Sequence, residues 1–189
     1  LCFDVNEETL PAAVAGLKTC GIRGFNLTMP NKNKIVELLD ELSPEAHLIG
    51  AVNTVLNDNG KLIGYNTDGY GFMQSLRDAG HDITGKNITV MGVGGASMAI
   101  CAQSALDGAA SVHIFARRTS RYWNRTQKFA ENLSAKTGCQ VCLFDNDDHT
   151  ALRDSIAQSY LLINATSVGM VPDIDDTIIK DTSLFHPEL

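Results

Sequence analysis

The sequence predicts an α/β protein in which an N-terminal α/β domain is followed by a doubly wound domain with a parallel sheet. From Asn87 onward, short apolar runs alternate with helix-compatible segments, and loops of a few residues join them. This alternation is typical of parallel βαβ units. A polar, turn-like stretch at 81–86 precedes them, so we expect domains at 1–80 and 81–189.

The composition argues against several classes of protein. The 189 residues are 44% hydrophobic and 20% charged, which is typical of globular domains and not of disordered chains. A formal net charge of -7 argues against nucleic acid or an anionic membrane as the main partner. No apolar run reaches the roughly 18 residues that a membrane span needs.

Five cysteines with scattered spacing favour a reducing compartment, the cytoplasm. Cys139 and Cys142 form a C-x-x-C motif, which could indicate zinc or redox chemistry. They fall on a predicted strand, where residues three apart point to opposite faces, and no second cysteine pair accompanies them. We therefore expect buried structural thiols and no metal cofactor.

Turn residues and periodicity define the elements of the N-terminal domain. Ser43 followed by Pro44 is typical of a helix start, Asn59-Gly60 of a hairpin, and Asp68 of a helix N-cap. Helices are expected at 6–19, 34–40, 44–50 and 69–79, and strands at 22–27, 51–56 and 61–65.

The C-terminal domain alternates more regularly. Strands are expected at 87–91, 111–115, 140–144 and 160–164, and helices at 96–107, 121–136 and 148–158. Right-handed crossovers would place these four strands in one sheet. Because ligands bind at the carboxyl ends of strands in such sheets, the loops that follow the strands are the candidates for a binding site.

A glycine-rich turn joins the first of these strands to its helix. It follows the pattern G-x-G-x-x-G/A of Rossmann-like dinucleotide sites, with a small serine at the third position. Such a turn lets backbone approach a pyrophosphate, and the helix N-terminus offers N–H groups and partial positive charge. The expected phosphate-binding residues are Gly92, Gly94, Gly95, Ala96 and Ser97.

The loop after the second strand indicates which nucleotide is bound. An acidic side chain there would favour NAD, whereas an arginine favours the 2′-phosphate of NADP. The loop contains Ala116, Arg117, Arg118 and Thr119, with no acidic residue, so NADP is favoured over NAD. A solvated basic loop is the alternative.

The loop after the fourth strand is small and polar. Its candidate residues are Asn164, Thr166, Ser167, Val168 and Gly169. The loop lies at the same edge of the predicted sheet as the glycine turn. It could border the nicotinamide, or it could be an ordinary turn at the end of a strand.

Lys32, Asn53 and Asp68 are the candidates for chemistry in the N-terminal domain. Lys32 follows a predicted strand that Pro30 ends, and Asp68 follows another strand. If these strands were parallel neighbours, the three side chains would converge on one rim. An ammonium and a carboxylate can exchange a proton with a substrate hydroxyl, which suits alcohol oxidation. A solvated lysine and a helix-capping aspartate are the alternatives.

Five segments together resemble the shikimate dehydrogenase family, in order and spacing along almost the whole chain. They are Thr28-Met29-Pro30-Asn31-Lys32, Gly50-Ala51-Val52-Asn53-Thr54, Gly64-Tyr65-Asn66-Thr67-Asp68-Gly69, Gly92-Val93-Gly94-Gly95-Ala96-Ser97 and Asn164-Ala165-Thr166-Ser167-Val168-Gly169. The Met-Pro-Asn-Lys form is similar to the quinate/shikimate dehydrogenase branch. The resemblance implies an NAD(P)-dependent oxidoreductase that interconverts shikimate and 3-dehydroshikimate, or quinate and 3-dehydroquinate, by hydride transfer.

The resemblance also implies roles for single residues. Lys32 and Asp68 match the catalytic pair of the family, in which the lysine exchanges the proton of the ring hydroxyl. Thr28 and Asn53 match residues that bind substrate hydroxyls together with that pair. The glycine turn would hold the pyrophosphate, and the loop after the second strand would contact the ribose. The partner is then a small-molecule substrate, and monomer and homodimer both stay open.

Departures from the family pattern leave alternatives. No Ser-x-Ser loop precedes Leu1 and no returning segment follows Leu189, so we expect the sequence to be the middle of the enzyme. Ala116 stands where the family commonly has Asn, and Thr119 where some quinate-branch members have Asp; the second change favours NADP. The alternatives are a weakly active or inactive nucleotide-binding regulator of the same family, and a different two-domain dehydrogenase, such as an amino-acid or methylenetetrahydrofolate enzyme.

Overall fold

A computed structural model describes residues 1–172 and 174–189, which form two compact units. The first unit is Leu1–Gly71 and the second is Phe72–Leu189, so the division between them falls inside helix α3 (Asp68–Asp78). The second half of this helix is tied to the second unit, because Arg77 Nη1 donates to Asp107 Oδ2 at 2.9 Å.

The first unit contains a four-stranded sheet in the order β1-β3-β4-β2. Its elements are α1 (Leu10–Thr19), β1 (Gly24–Asn26), a 3-10 helix (Lys34–Leu38), β2 (Glu41–Leu42), α2 (Pro44–Ile49), β3 (Thr54–Asp58) and β4 (Lys61–Tyr65). Strand β3 runs antiparallel to both β1 and β4, and β2 runs parallel to β4. The core of this unit is a cluster of buried apolar side chains: Leu10, Val14, Ile35, Ala46, Val52, Val55 and Leu62.

Two helix predictions in this unit need correction. The first helix begins at Leu10 and not at Asn6, because Asn6 Oδ1 accepts from the N–H groups of Glu8 and Thr9 and closes a turn. The helix expected at 34–40 is a short 3-10 helix. It ends because Asp40 pairs with Leu62 through both its backbone N–H and its carboxylate, which starts β2 beside β4.

Two local signals in this unit are confirmed. Ser43 caps α2, with its side chain accepting from the Ala46 N–H at 3.2 Å. The hairpin between β3 and β4 turns at Asn59 and Gly60, whose φ values are 53° and 94°. Positive φ at both positions is what a type I′ turn requires.

The second unit contains a parallel sheet in the order β7-β6-β5-β8. Its elements are β5 (Asn87–Met91), α4 (Gly95–Leu106), β6 (Ser111–Ala116), α5 (Trp123–Thr137), β7 (Gln140–Asp145), α6 (His149–Gln158), β8 (Leu161–Asn164) and a 3-10 helix (Thr182–Leu184). The strands and helices fall within a few residues of their predicted bounds, so the α/β fold class is confirmed. The carboxyl ends of β5, β6 and β8 meet at one edge, where Gly92 N–H donates to Phe115 and Ala165 N–H donates to Met91.

The cysteines in this unit are consistent with unreactive thiols. Cys101 and Cys139 are buried, and burial raises the pKa of their thiols to about 12 and about 11 respectively. Cys142 is only partly buried. In the part of the chain that the structure describes, no helix combines the length and the apolar character needed to cross a membrane.

Candidate active site

Lys32 and Asp68 form a direct ion pair in the first unit. Lys32 Nζ donates to Asp68 Oδ2 at 2.7 Å. The two side chains are 24% and 33% exposed, so solvent and a small molecule can reach them. The Lys32 loop is fixed through its backbone, because the Val52 N–H donates to the Lys32 carbonyl at 2.8 Å.

Asn53 connects this pair to the sheet. Its Nδ2 donates to Asp68 Oδ1 at 2.7 Å and to Thr67 Oγ1 at 3.0 Å, and its Oδ1 accepts from the Thr67 N–H at 3.0 Å. Its backbone carbonyl accepts from Leu27, after β1, and its N–H donates to Tyr65, at the end of β4. Asn53 is 9% exposed. The residue therefore holds the ends of three strands together at the point where the ion pair forms.

The three predicted side chains do converge, but not for the reason given by the sequence. Strand β3, which Asn53 precedes, is antiparallel to its neighbours β1 and β4, whereas parallel neighbours were expected. In such a sheet the carboxyl ends of β1 and β4 lie at the same edge as the amino end of β3. Lys32 follows β1, Asn53 precedes β3 and Asp68 follows β4, so all three reach that edge.

Asp68 is also not the N-cap that the sequence predicted. It is the first helical residue of α3, and its carboxylate is engaged by Lys32 and Asn53. The Asp68 N–H is bonded to Asn66 Oδ1 at 3.2 Å, so Asn66 lies at the start of the helix instead. The Asp68 carboxylate therefore pairs with an ammonium group and an amide, whereas the carboxylate of a capping residue accepts from backbone N–H groups of its own helix.

Thr28 lies in the loop between β1 and Lys32. Its carbonyl accepts from the Asn31 N–H at 3.0 Å, and its side chain is exposed. Among the described residues its hydroxyl is not joined to the ion pair. Thr67 is connected to the ion pair through Asn53, although Thr67 was not among the residues predicted from the sequence. Its place inside the Asn-Thr-Asp-Gly segment was the signal that could have identified it.

The glycine turn after β5 has the shape expected of a phosphate cradle. Gly92 has φ of 110°, and a Cβ there would lie 2.8 Å from the Ala165 carbonyl oxygen. At Gly94 and Gly95 a Cβ would meet nothing within 4 Å, and the backbone from Gly94 to Ala96 is exposed. This exposed backbone is the first turn of α4, whose N–H groups have no carbonyl one turn earlier to bond. An anion can therefore approach them directly.

Ser97, at the third position of the glycine pattern, is fully buried. Its Oγ donates to the Gly92 carbonyl at 2.6 Å. A serine at this position closes the turn by a hydrogen bond, which a third glycine or alanine could not form. Ser97 thus shapes the turn from beneath.

The two arginines after β6 lie in different surroundings. Both are exposed, as is Thr119, whereas Ala116 is buried as the last residue of β6. The Arg118 guanidinium carbon lies 4.6 Å from the centre of the Trp123 ring. Among the described residues, Arg117 forms no ion pair. Trp123, the single tryptophan of the chain, was not among the residues predicted to lie in a site.

The loop after β8 is a turn held by its own side chains. Asn164 Oδ1 accepts from the N–H and the hydroxyl of Thr166, and Asn164 Nδ2 donates to the Val168 carbonyl at 3.1 Å. Ser167 and Gly169 are exposed. Because the loop lies against Gly92 through the Ala165 carbonyl, it adjoins the glycine turn.

Comparison with known proteins identifies relatives of both units. Residues 1–55 match the family described as the shikimate dehydrogenase substrate binding domain. Shikimate dehydrogenase (NADP(+)) of Listeria innocua is 47% identical over 189 residues, which is 100% of this chain and 65% of the relative. The chain is similar to shikimate dehydrogenases along its whole length. The resemblance inferred from the five sequence segments is confirmed.

Two further members of the family support this. Quinate/shikimate dehydrogenase of Escherichia coli is 41% identical over 100% of this chain and 65% of its own length. The structure of shikimate 5-dehydrogenase from Listeria monocytogenes, in complex with shikimate and NAD, matches 99% of this chain and 64% of its own with a TM-score of 0.96 and 46% identity. The chain spans 65% of the length of the curated relatives it matches.

Proposed function

We propose that the protein is an oxidoreductase that interconverts shikimate and 3-dehydroshikimate, or quinate and 3-dehydroquinate, with NADP preferred over NAD. The observation that carries the proposal is the 2.7 Å contact between Lys32 Nζ and Asp68 Oδ2, with Asn53 bonded to the second carboxylate oxygen. The names of the relatives support the substrate class, and the Listeria monocytogenes protein was crystallised with shikimate and NAD.

In this proposal Lys32 moves the proton of the reaction. When the keto compound is reduced, the Lys32 ammonium donates a proton to the oxygen that becomes the hydroxyl. When the hydroxyl is oxidised, the neutral amine takes that proton back. Asp68 keeps Lys32 Nζ at a fixed position, and Asn53 keeps the carboxylate oriented. Thr28 and Asn53 would bind substrate hydroxyls beside this pair.

NADP, or NAD, fits the second unit. The N–H groups of the exposed residues Gly95 and Ala96 would bind the pyrophosphate, and a Cβ at Gly94 or Gly95 would project into the open space in front of the turn. When bound, the nicotinamide accepts or supplies the hydride. The exposed guanidinium of Arg117 is free to pair with the 2′-phosphate, which supports the preference for NADP.

The two sites suggest a separate role for each domain. Residues 1–80 would form the substrate and catalytic domain, and residues 81–189 the NAD(P)-binding domain with the loop at 164–169 bordering the nicotinamide. The partner would be a small-molecule substrate, and the protein would act as a monomer or a homodimer. The free cysteines support a cytoplasmic location, where thiols stay reduced.

Four assays test the proposal. The full-length protein is mixed with shikimate or quinate, each with NADP or NAD, and the absorbance of the reduced nicotinamide is followed. We expect reduction in at least one mixture and a higher kcat/KM with NADP than with NAD. Binding of nucleotide without reduction in any mixture would support the alternative, a nucleotide-binding regulator. The intact Lys32–Asp68 pair favours the enzyme, since a regulator has no need of it.

A further inference from the structure

Thr54, the first residue of β3, extends the hydrogen-bond network behind the ion pair. Its hydroxyl donates to Asn53 Oδ1 at 3.0 Å. The same hydroxyl oxygen accepts from Asn26 Nδ2 at 2.9 Å. Because an amide N–H already fills one side of the oxygen, the single hydroxyl proton of Thr54 points at Asn53.

These contacts decide which way the Asn53 side chain faces. A backbone N–H can only donate, so the atom 3.0 Å from the Thr67 nitrogen is the amide oxygen of Asn53. The Thr54 hydroxyl donates to that same oxygen. The Thr67 hydroxyl is a third, longer donor to this oxygen, at 3.3 Å. With the oxygen held by these donors, the amide nitrogen is turned toward Asp68 Oδ1 at 2.7 Å.

If the Asn53 amide were reversed, its hydrogen bond to Asp68 would be lost. The Asn53 oxygen would then face a carboxylate oxygen, and two acceptors would lie in contact without a proton between them. The carboxylate would lose a donor and turn away from its present position. Its other oxygen is the one that holds Lys32 Nζ. An error in the orientation of one amide would therefore displace the proton-transferring group.

We propose that Thr54 is a positioning residue for catalysis. It fixes the Asn53 amide, the amide fixes Asp68, and Asp68 fixes Lys32. Each member of this series donates toward the carboxylate: Asn26 to Thr54, Thr54 to Asn53, and Asn53 to Asp68. The proposal rests on the proposed function of the Lys32–Asp68 pair, but it concerns a residue that touches neither member of that pair.

Two variants of the full-length protein separate the hydroxyl from the shape of the side chain. Thr54→Val keeps a β-branched side chain that suits a strand, and Thr54→Ser keeps the hydroxyl. We expect Thr54→Val to lower kcat about tenfold with little change in the KM for substrate, as loss of one oriented hydrogen bond implies. Thr54→Ser should stay within about twofold of the wild type. A Val variant with wild-type kcat, or a Ser variant as slow as the Val variant, would overturn the proposal.

A spectroscopic measurement distinguishes failure of this inference from failure of the proposed function. The Asn53 side-chain NH₂ signals are assigned in ¹⁵N-labelled protein by their loss in Asn53→Ala. They should shift and exchange faster with solvent in Thr54→Val, and stay in place in Thr54→Ser. If no mixture of substrate and nucleotide reacts, the proposed function fails, while these signals still decide whether Thr54 orients the amide. Unchanged Asn53 signals in the Val variant contradict it.

Discussion

The Lys32–Asp68 centre in the first unit is formed by side chains, whereas the glycine turn in the second unit is formed by backbone. At the first, charged and amide side chains bond to one another in a preformed network. At the second, the exposed surface is mainly backbone, because the residues of the turn have small side chains or none. In the proposed function, the first site donates a proton to the substrate, and the second holds the nucleotide.

This contrast predicts how each site fails. Removing a side chain should abolish chemistry at the first site and leave nucleotide binding intact. Adding a side chain should block binding at the second site and leave the chemical step intact. The two kinds of damage should therefore stay separate.

The largest effect is expected for Lys32→Ala. Loss of the proton-transferring group should lower kcat by about 10² to 10⁴, with little change in the affinity for NADP. Steady-state kinetics and nucleotide titration measure the two quantities. Lys34→Ala is the control, because Lys34 is a neighbouring lysine that is 57% exposed. A comparable loss in the control would mean that general charge near the loop matters, and not Lys32.

A smaller effect, confined to the cofactor, is expected for Arg117→Ala. The loss of one charge-assisted contact to the 2′-phosphate should raise KM for NADP about 10- to 100-fold and leave KM for NAD nearly unchanged. Arg118→Ala should have a weaker effect, because its guanidinium lies on Trp123. If the KM values for both nucleotides rise equally in Arg117→Ala, the assignment of the 2′-phosphate to this residue is wrong.

Two glycine variants separate binding from folding. Gly95→Ala should keep the free energy of unfolding, since nothing lies within 4 Å of the new Cβ, but raise the Kd of NADP about tenfold. Gly92→Ala should lower the free energy of unfolding by about 1–3 kcal/mol, because φ is 110° and the Ala165 carbonyl is 2.8 Å away. Denaturant unfolding and nucleotide titration test both. Equal destabilisation in the two variants would contradict the described geometry.

The smallest effect is expected for Ser97→Ala. Removing its hydrogen bond to Gly92 should lower the free energy of unfolding by about 1 kcal/mol and weaken NADP binding only slightly. Ser104→Ala is the matched control on the same helix, because Ser104 is also buried but donates to Ile100 within α4. A Kd for NADP that rises in the control as much as in Ser97→Ala would show that Ser97 has no particular role in the turn.

The parallel sheet could be predicted closely from the sequence. Strand β5 has the predicted bounds, because an apolar run there ends at a glycine turn and has no competing interpretation. The glycine positions and the basic loop also followed from the sequence. The contact between Arg118 and Trp123 could not be predicted, since it depends on where the first turn of α5 places an aromatic ring.

The first unit was harder to predict because its strands are short. Strand β1 has three residues and β2 has two, too few for a periodic pattern. The relative directions of the strands depend on which strands pair across the sheet. The periodicity of the sequence carries no information about that pairing. Lys32, Asn53 and Asp68 were found because their residue types and motifs are unusual. The orientation of the Asn53 amide is fixed by Thr67 and Thr54, and only the structure reveals it.

The separation of chemistry from binding can be tested in one crossed experiment. Single-turnover rates at saturating NADP and the Kd of NADP are measured for Lys32→Ala and Gly95→Ala in the full-length protein. We predict that Lys32→Ala lowers the rate and leaves the Kd unchanged, and that Gly95→Ala raises the Kd and leaves the rate unchanged. If both variants change the same quantity, the two sites do not have the separate roles proposed for them.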